Sequence, residues 1–242
     1  MKSNVRLSAA VLLALEVICV LVATFTLQAA FQFPAILREP ASAAFGLFQK
    51  NQSVIVPAYY VFMLSGLLYL PVSFALRNAL KATAAVEESH LNTMVVLGAT
   101  TAIFQAVGFS RWIFLMPYLT TMYFGGDASI RQTVTLIYET FNRYAGMTIG
   151  EHLGFIAMGF WTIVLAASVK RLVPAWVSTS GISIGVLLVL SIGEHFGGST
   201  ADVFATLNFV ANALWMIWIP VFAFFTLRKT SLISVSATLA VN

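Results

Sequence analysis

Six stretches of mainly apolar residues constrain this chain more than any other feature, because each is about 20 residues long and therefore long enough to cross a bilayer. Of the 242 residues, 60% are hydrophobic and only 9% are charged, and the mean hydropathy is +0.90. Soluble domains carry about 25% charged residues, so the composition excludes that class and predicts a polytopic membrane protein. The predicted spans are residues 7–30, 54–76, 91–110, 147–169, 174–195 and 201–227.

Each stretch is predicted to be an α-helix, because a lipid-exposed backbone must satisfy its own hydrogen bonds and the alternation typical of barrel strands is missing. The predicted fold is therefore all-α: one domain, residues 1–242, forming a bundle of six transmembrane helices with short interfacial helices on the outer side. The first stretch is too long for a signal-peptide apolar region of about 7 to 15 residues. It is predicted to remain as an anchor in the lipid bilayer.

The placement of Lys and Arg predicts the orientation, since cytoplasmic loops collect positive charge. Eight of the 13 basic residues fall in alternate connections on one side of the predicted membrane: Lys2, Arg6, Arg77, Lys81, Lys170, Arg171, Arg228 and Lys229. Both termini are therefore predicted to be cytoplasmic. This topology also accounts for the net charge of +4, so no nucleic-acid partner is expected.

Two outer connections are more than linkers. Residues 33–50 mix aromatic and charged side chains and predict a short interfacial helix broken by Pro40. The apolar part of the longest connection, residues 112–124, predicts a re-entrant or interfacial piece. After it, a Gly-Gly-Asp turn makes Asp127 a predicted N-cap for a helix that begins near Ala128 and runs into the fourth span.

Two similar phrases interrupt the apolar pattern: Gly150-Glu151-His152-Leu153-Gly154 and Gly193-Glu194-His195-Phe196-Gly197. An ionisable residue within a span costs about 2.5 to 3.5 kcal/mol on insertion scales, so two such pairs indicate a site. The flanking glycines remove side-chain bulk and let helices approach closely.

With the predicted topology, polar residues from several spans converge on the outer third of the bilayer at a rise of about 1.5 Å per residue. We expect Glu151 to form a charge pair with Arg111 or Arg143, so that no carboxylate is left isolated. Glu16 alone lies near the midplane and suggests either a proton path or a protonated, packed side chain. The convergent residues are Arg111, Asn142, Arg143, Glu151, His152, Glu194, His195, Asn208 and Asn212.

Several interpretations of this cluster stay open. The first is a periplasm-facing pocket that binds or translocates a small solute or lipid headgroup. The second is a divalent metal or haem site with His152 and His195 as ligands. A third, a membrane enzyme with a glutamate as acid or base, lacks an obvious nucleophile. The remaining alternative involves no ligand: the cluster is a structural polar network in a scaffold or partner subunit, with Asn208 and Asn212 as interhelical hydrogen-bond contacts.

Three further runs carry a family resemblance: Phe33 to Pro40, Arg111-Trp112 with Pro117, and Phe141 to Gly146 leading into the first Gly-Glu-His phrase. Together they resemble a bacterial family of six-span integral membrane proteins known only as a domain of unknown function, DUF4386-like. The resemblance covers nearly the whole chain and implies a bacterial inner-membrane protein. It implies no activity, cofactor or site residue. The first Glu-His pair fits the family pattern better than the second.

Overall fold

A computed structural model describes the backbone of residues 2–81 and 86–239 and the side chains of residues 4–81 and 86–226. In these residues the regular secondary structure is entirely helical. The α-helices are α1 (Lys2–Phe31), α2 (Ala41–Lys81), α3 (Glu88–Ser110), α4 (Met116–Gly125), α5 (Ala128–Phe141), α6 (Gly154–Ser168), α7 (Ala175–Leu190) and α8 (Ala201–Leu239). Short 3-10 helices cover Ala35–Arg38 and Ser191–Phe196. Two π-helical stretches, Arg111–Leu115 and Asn142–Leu153, are called the first and second π segments.

Six helical stretches of the described chain are long and apolar enough to cross a membrane. This confirms the predicted all-α class and the number of spans, so the chain is a multi-pass membrane protein. The side chains of Lys2, Arg228 and Lys229, which entered the orientation argument, lie outside the described residues. The six stretches are Asn4–Phe31, Ala41–Lys81, Glu88–Gly125, Ala128–Ser168, Ala175–Phe196 and Ala201–Thr226.

The second membrane helix begins earlier than predicted. Residues 33–50 do not form a separate interfacial helix: they hold a 3-10 turn and then the start of α2, which begins directly after Pro40. A kink at Asn51, with φ −124° and ψ 20°, marks the place where the sequence suggested a boundary. There the Asn51 side chain donates a hydrogen bond of 2.8 Å to the Ala30 carbonyl, which holds the kinked turn in place.

The apolar part of the long connection also continues a helix. Residues 112–124, predicted to be re-entrant or interfacial, follow α3 without a break through the first π segment into α4. Pro117 lies in the first turn of α4, where its missing N–H matters little. The predicted N-cap is confirmed, because the Asp127 side chain accepts a hydrogen bond of 3.0 Å from the Ile130 amide. Helix α5 then runs through the second π segment into α6, as predicted.

The chain divides into two compact units. Unit 1 takes the described parts of residues 1–17, 68–102 and 155–242, and unit 2 takes residues 18–67 and 103–154. Each has its own apolar core. The largest side chains are Trp161, Trp215, Trp218 and Tyr69 in the core of unit 1, and Trp112, Tyr59 and Tyr138 in that of unit 2, where Phe31, Phe45 and Phe48 are also buried.

Three buried indole groups stabilise unit 1 by hydrogen bonds as well as by packing. Trp161 Nε1 donates to Ser73 Oγ at 2.8 Å, and Trp215 Nε1 donates to Thr162 Oγ1 at 3.1 Å. Trp218 Nε1 donates to a backbone carbonyl of α7 at 2.8 Å. Since a buried N–H without an acceptor is costly, these contacts specify how the helices of unit 1 pack.

Candidate functional site

The candidate site in unit 2 is built where the backbone of α3 meets the second π segment. The contact is between two glycines: a Cβ added to Gly108 would lie 2.7 Å from Gly150 Cα, and one added to Gly150 would lie 2.8 Å from Gly108 Cα. No larger residue fits such a contact without movement of the backbone. The glycine of the first Gly-Glu-His phrase thus serves the close approach that the sequence predicted.

Arg111 lies at the centre of this region and is buried, with a relative exposure of 9%. Its guanidinium donates to the Gly108 carbonyl oxygen and, from Nη2, to Asn142 Oδ1 at 3.1 Å. Room for it depends on Gly146, where an added Cβ would lie 2.5 Å from the guanidinium carbon. The first π segment therefore places the positive charge of Arg111 against the second π segment. It can do so because Gly146 has no side chain to occupy that space.

Asn142 uses both ends of its carboxamide. Its oxygen accepts from Arg111, and its Nδ2 donates to the Leu37 carbonyl at 3.3 Å. The side chain thereby connects the buried arginine to the 3-10 helix Ala35–Arg38. Two residues that the sequence placed in one cluster, Arg111 and Asn142, are in direct contact.

Glu151 is held by a residue that the sequence analysis left out of the site. Arg38 Nη2 lies 2.7 Å from Glu151 Oε2, with side-chain exposures of 37% and 17%. Arg111, which was expected to pair with Glu151, instead directs its hydrogen bonds to Gly108 and Asn142 and interacts with the carboxylate at longer range. The partly buried Glu151 therefore has an ion-pair partner on the 3-10 helix.

Aromatic side chains close the other side of Arg111. Its guanidinium carbon lies 5.1 Å from the Trp112 ring centroid, and the Trp112 ring stacks on Tyr59 at 5.1 Å. Tyr138 meets the same indole edge-on at 6.2 Å. Tyr59 and Tyr138 are both buried, and within the described residues neither hydroxyl has a hydrogen-bond partner. Arg111 Nε is also buried and has no hydrogen-bond partner among the described residues.

A small cavity adjoins these groups. It has about 10 Å³ of room, which is about the space of one water molecule. Polar and apolar side chains line it: Arg111, Trp112, Leu115, Met116, Tyr138, Phe141 and Asn142. Arg111, Asn142 and Tyr138 thus border a space of about one water molecule whose accessible wall is formed by apolar atoms.

The remaining predicted residues of unit 2 are less central. Arg143 is exposed, and its backbone carbonyl accepts a hydrogen bond from Thr148 Oγ1 at 3.0 Å. His152 is partly buried in the second π segment. Neither lines the cavity beside Arg111.

The second Glu-His pair belongs to unit 1. Glu194 and His195 are partly buried in the 3-10 helix Ser191–Phe196, which packs against α8. On α8, Asn212 Nδ2 donates to Asn208 Oδ1 at 2.6 Å. These two asparagines, expected to connect different helices, bond to each other within one helix. The meeting of this group with the residues of unit 2 at one depth stays a prediction.

Glu16 lies in unit 1 and is fully buried on α1. Among the described residues, neither of its carboxyl oxygens has a hydrogen-bond partner.

The metal hypothesis gains no support from the geometry. Within the described part of the chain, no three His, Cys, Asp or Glu side chains are grouped closely enough to hold an ion, and His152 and His195 lie in different units.

Sequence reasoning missed Arg38, Tyr59 and Tyr138. Arg38 stands beside a glutamate and a proline in an outer connection and within a run that carries the family resemblance, which was a usable signal. The tyrosines had none, because a tyrosine in an apolar helix is typical of ordinary core packing.

Fold and site together define the class: a polytopic helical membrane protein with a buried arginine in unit 2. Comparison with family models goes further, since residues 8–226 match the family described as Domain of unknown function (DUF4386). The chain belongs to this family, as the resemblance predicted. No curated protein and no solved structure matches it.

Proposed function

We propose that this protein binds the acidic group of a small solute or lipid headgroup at the site around Arg111. In this proposal the protein resides in a bacterial inner membrane with both termini in the cytoplasm, and the site faces the periplasm. The distribution of Lys and Arg along the sequence supports that orientation.

The observation that carries the proposal is a set of buried polar groups around the Trp112 ring that have no hydrogen-bond partner within the described residues. Arg111 Nε and the hydroxyls of Tyr59 and Tyr138 are buried and, within the described residues, lack hydrogen-bond partners. Buried polar groups are normally satisfied, so unsatisfied ones call for an explanation such as a ligand or an ion. A carboxylate or phosphate oxygen matches these groups, because it accepts hydrogen bonds and neutralises a guanidinium.

The size of the cavity limits how a ligand is held. It has room for about one oxygen atom, so a single acidic oxygen enters while the rest of the molecule stays outside. Arg38 supplies a second positive charge near Arg111 and is already engaged by Glu151. An incoming acidic group would compete with Glu151 for Arg38, which couples ligand binding to the position of the second π segment.

The test uses the detergent-purified full chain and its midpoint of thermal unfolding. Phosphatidylglycerol, phosphatidylcholine with the same acyl chains, and inorganic phosphate are titrated separately. Stabilisation by phosphatidylglycerol alone identifies a lipid headgroup, and stabilisation by phosphate as well identifies a small anion. If both lipids stabilise equally and phosphate has no effect, the polar cluster is a structural network and the proposal is wrong.

Variants locate the effect. Hydrogen bonds to charged groups are worth about 1.5 to 3 kcal/mol, so Arg111→Gln should weaken binding by about 10- to 100-fold. Arg111→Lys keeps the positive charge but loses Nε. It replaces Arg111→Gln in the binding measurement if the glutamine variant does not fold. Arg131→Gln is the matched control, because Arg131 is exposed in the same unit and its side chain donates to the nearby Gly126 carbonyl, away from the Arg111 site. An unchanged affinity in both Arg111 variants would contradict the proposal.

A further inference from the structure

Unit 1 contains an acidic side chain that the proposed anion site does not use. Glu16 is fully buried on α1, and within the described residues both carboxyl oxygens lack a hydrogen-bond partner. Leu13, one turn earlier on the same helix, belongs to the apolar core of unit 1. The carboxyl group therefore belongs to a buried face of α1 that packs on the apolar core.

Within the described residues, no positively charged side chain interacts electrostatically with Glu16. Tyr69 of α2 is the titratable side chain of the described residues that interacts with it electrostatically, and the buried Tyr69 hydroxyl also lacks a hydrogen-bond partner there. The Tyr69 ring packs against Trp161 and Trp215 at ring distances of 5.1 and 5.9 Å. The indole N–H groups of these two residues donate to Ser73 and Thr162.

An ionised carboxylate in such a place would have neither a counter-ion nor a hydrogen-bond donor aimed at it. Because an isolated buried charge is far more costly than a neutral acid, the group instead keeps its proton. The geometry does not point to a metal ion in its place, because no three His, Cys, Asp or Glu side chains of the described residues are grouped closely enough to hold one.

We propose that Glu16 is a proton-binding site inside unit 1. The carboxyl group holds a proton in the packed state seen here and releases it to water when water reaches α1 beside Tyr69. This site is separate from the anion site around Arg111, and neither proposal depends on the other. It fits a protein that changes its packing in response to proton concentration.

Infrared spectroscopy of the full chain in lipid vesicles tests the proposal directly. At neutral pH the wild type should show the C=O stretching band of a protonated carboxylic acid. The band should shift to lower frequency in deuterated water and disappear reversibly as the pH is raised. Glu16→Gln should abolish the band, whereas Glu139→Gln, which changes an exposed glutamate of α5, should leave it intact.

Two outcomes would overturn the proposal. Absence of the band in the wild type at neutral pH would mean that Glu16 is ionised, with a cation or another partner. A band that neither exchanges with deuterium nor titrates would mean a permanently protonated structural acid. If Glu16→Gln does not fold, Glu16→Asp keeps a carboxyl group on a shorter side chain and should shift the frequency of the band, and an unshifted band would assign it to another acid and overturn the proposal.

Discussion

Arg38 Nη2 and Glu151 Oε2 are 2.7 Å apart, although 113 positions separate the two residues in the sequence. The contact connects the 3-10 helix Ala35–Arg38 to the second π segment. It places a charge pair beside Arg111, whose guanidinium interacts electrostatically with both partners. Loss of either charge should therefore affect both the stability of unit 2 and the state of the buried arginine.

Glu151→Gln should lower the free energy of unfolding by up to about 1 kcal/mol, the upper range for a partly exposed ion pair. Asp127→Asn should have almost no effect, because asparagine caps a helix about as well as aspartate and the Asp127 side chain only accepts a bond from the Ile130 amide. Thermal unfolding of the purified variants provides the comparison. Equal losses of stability would count against a special role for Glu151.

A double-mutant cycle isolates the ion pair itself. Arg38→Gln, Glu151→Gln and the double variant should show a coupling energy of about 0.5 kcal/mol or more, as expected for residues in contact. The cycle is measured from the three unfolding free energies relative to the wild type. Additive effects would show that the contact contributes nothing to stability.

Gly150→Ala should lower stability by about 1 to 3 kcal/mol, the usual range for overpacking. The new Cβ would meet Gly108 Cα at 2.8 Å, and a backbone atom cannot rotate away. Gly46→Ala is the control, because Gly46 lies in helix α2 with nothing within 4 Å of an added Cβ. It should be neutral or stabilising by up to about 1 kcal/mol. Similar melting curves for both variants would refute the close backbone contact.

Asn142→Leu should lower stability by about 1 to 3 kcal/mol, because it leaves Arg111 Nη2 and the Leu37 carbonyl without the partner they have now. Asn142→Asp keeps an acceptor for Arg111 and loses only the donor to Leu37, so its effect should be smaller. Chemical or thermal unfolding in detergent ranks the two variants. Because leucine loses both bonds, a larger loss with aspartate would contradict the role of Asn142 Oδ1 as a stabilising acceptor for Arg111.

Ser73→Ala should lower the stability of unit 1 by about 1 to 3 kcal/mol, because the buried Trp161 N–H then has no acceptor. Ser65→Ala is a matched control: it is also buried in α2, and its hydroxyl donates only to the Phe62 carbonyl of its own helix. The control should lose about 1 kcal/mol or less. Comparable losses would show that Trp161 does not depend on Ser73.

The hydropathy pattern predicted the features that a lipid bilayer requires of a chain that crosses it. The six spans, their helical state and the Asp127 cap follow from transfer free energy and from local hydrogen bonding, and all are present. Boundaries were less predictable where polar residues lie within a continuous helix. The sequence suggested the edge of a span near Asn51. The structure instead has a kink inside α2 there, and the Asn51 side chain donates a hydrogen bond to the Ala30 carbonyl of α1.

The site was predictable only in part. Charged residues in apolar stretches drew attention to Arg111 and Glu151, since such residues are costly in lipid. Their actual partners depend on helix rotation, which the two π segments change locally and which a pattern based on 3.6 residues per turn does not describe. For that reason, Arg38, Tyr59 and Tyr138 could be assigned to the site only from the three-dimensional contacts.

Trp112 has a practical consequence of its own. It is the single tryptophan of unit 2, whereas the other four of the chain fall in unit 1, and it lies between the Arg111 guanidinium and the Tyr59 ring. Incorporation of fluorotryptophan would give one ¹⁹F resonance per indole, and Trp112→Phe would assign one of them. That resonance would report on the electrostatic state of the buried arginine from inside unit 2, through a change of a single atom in the indole.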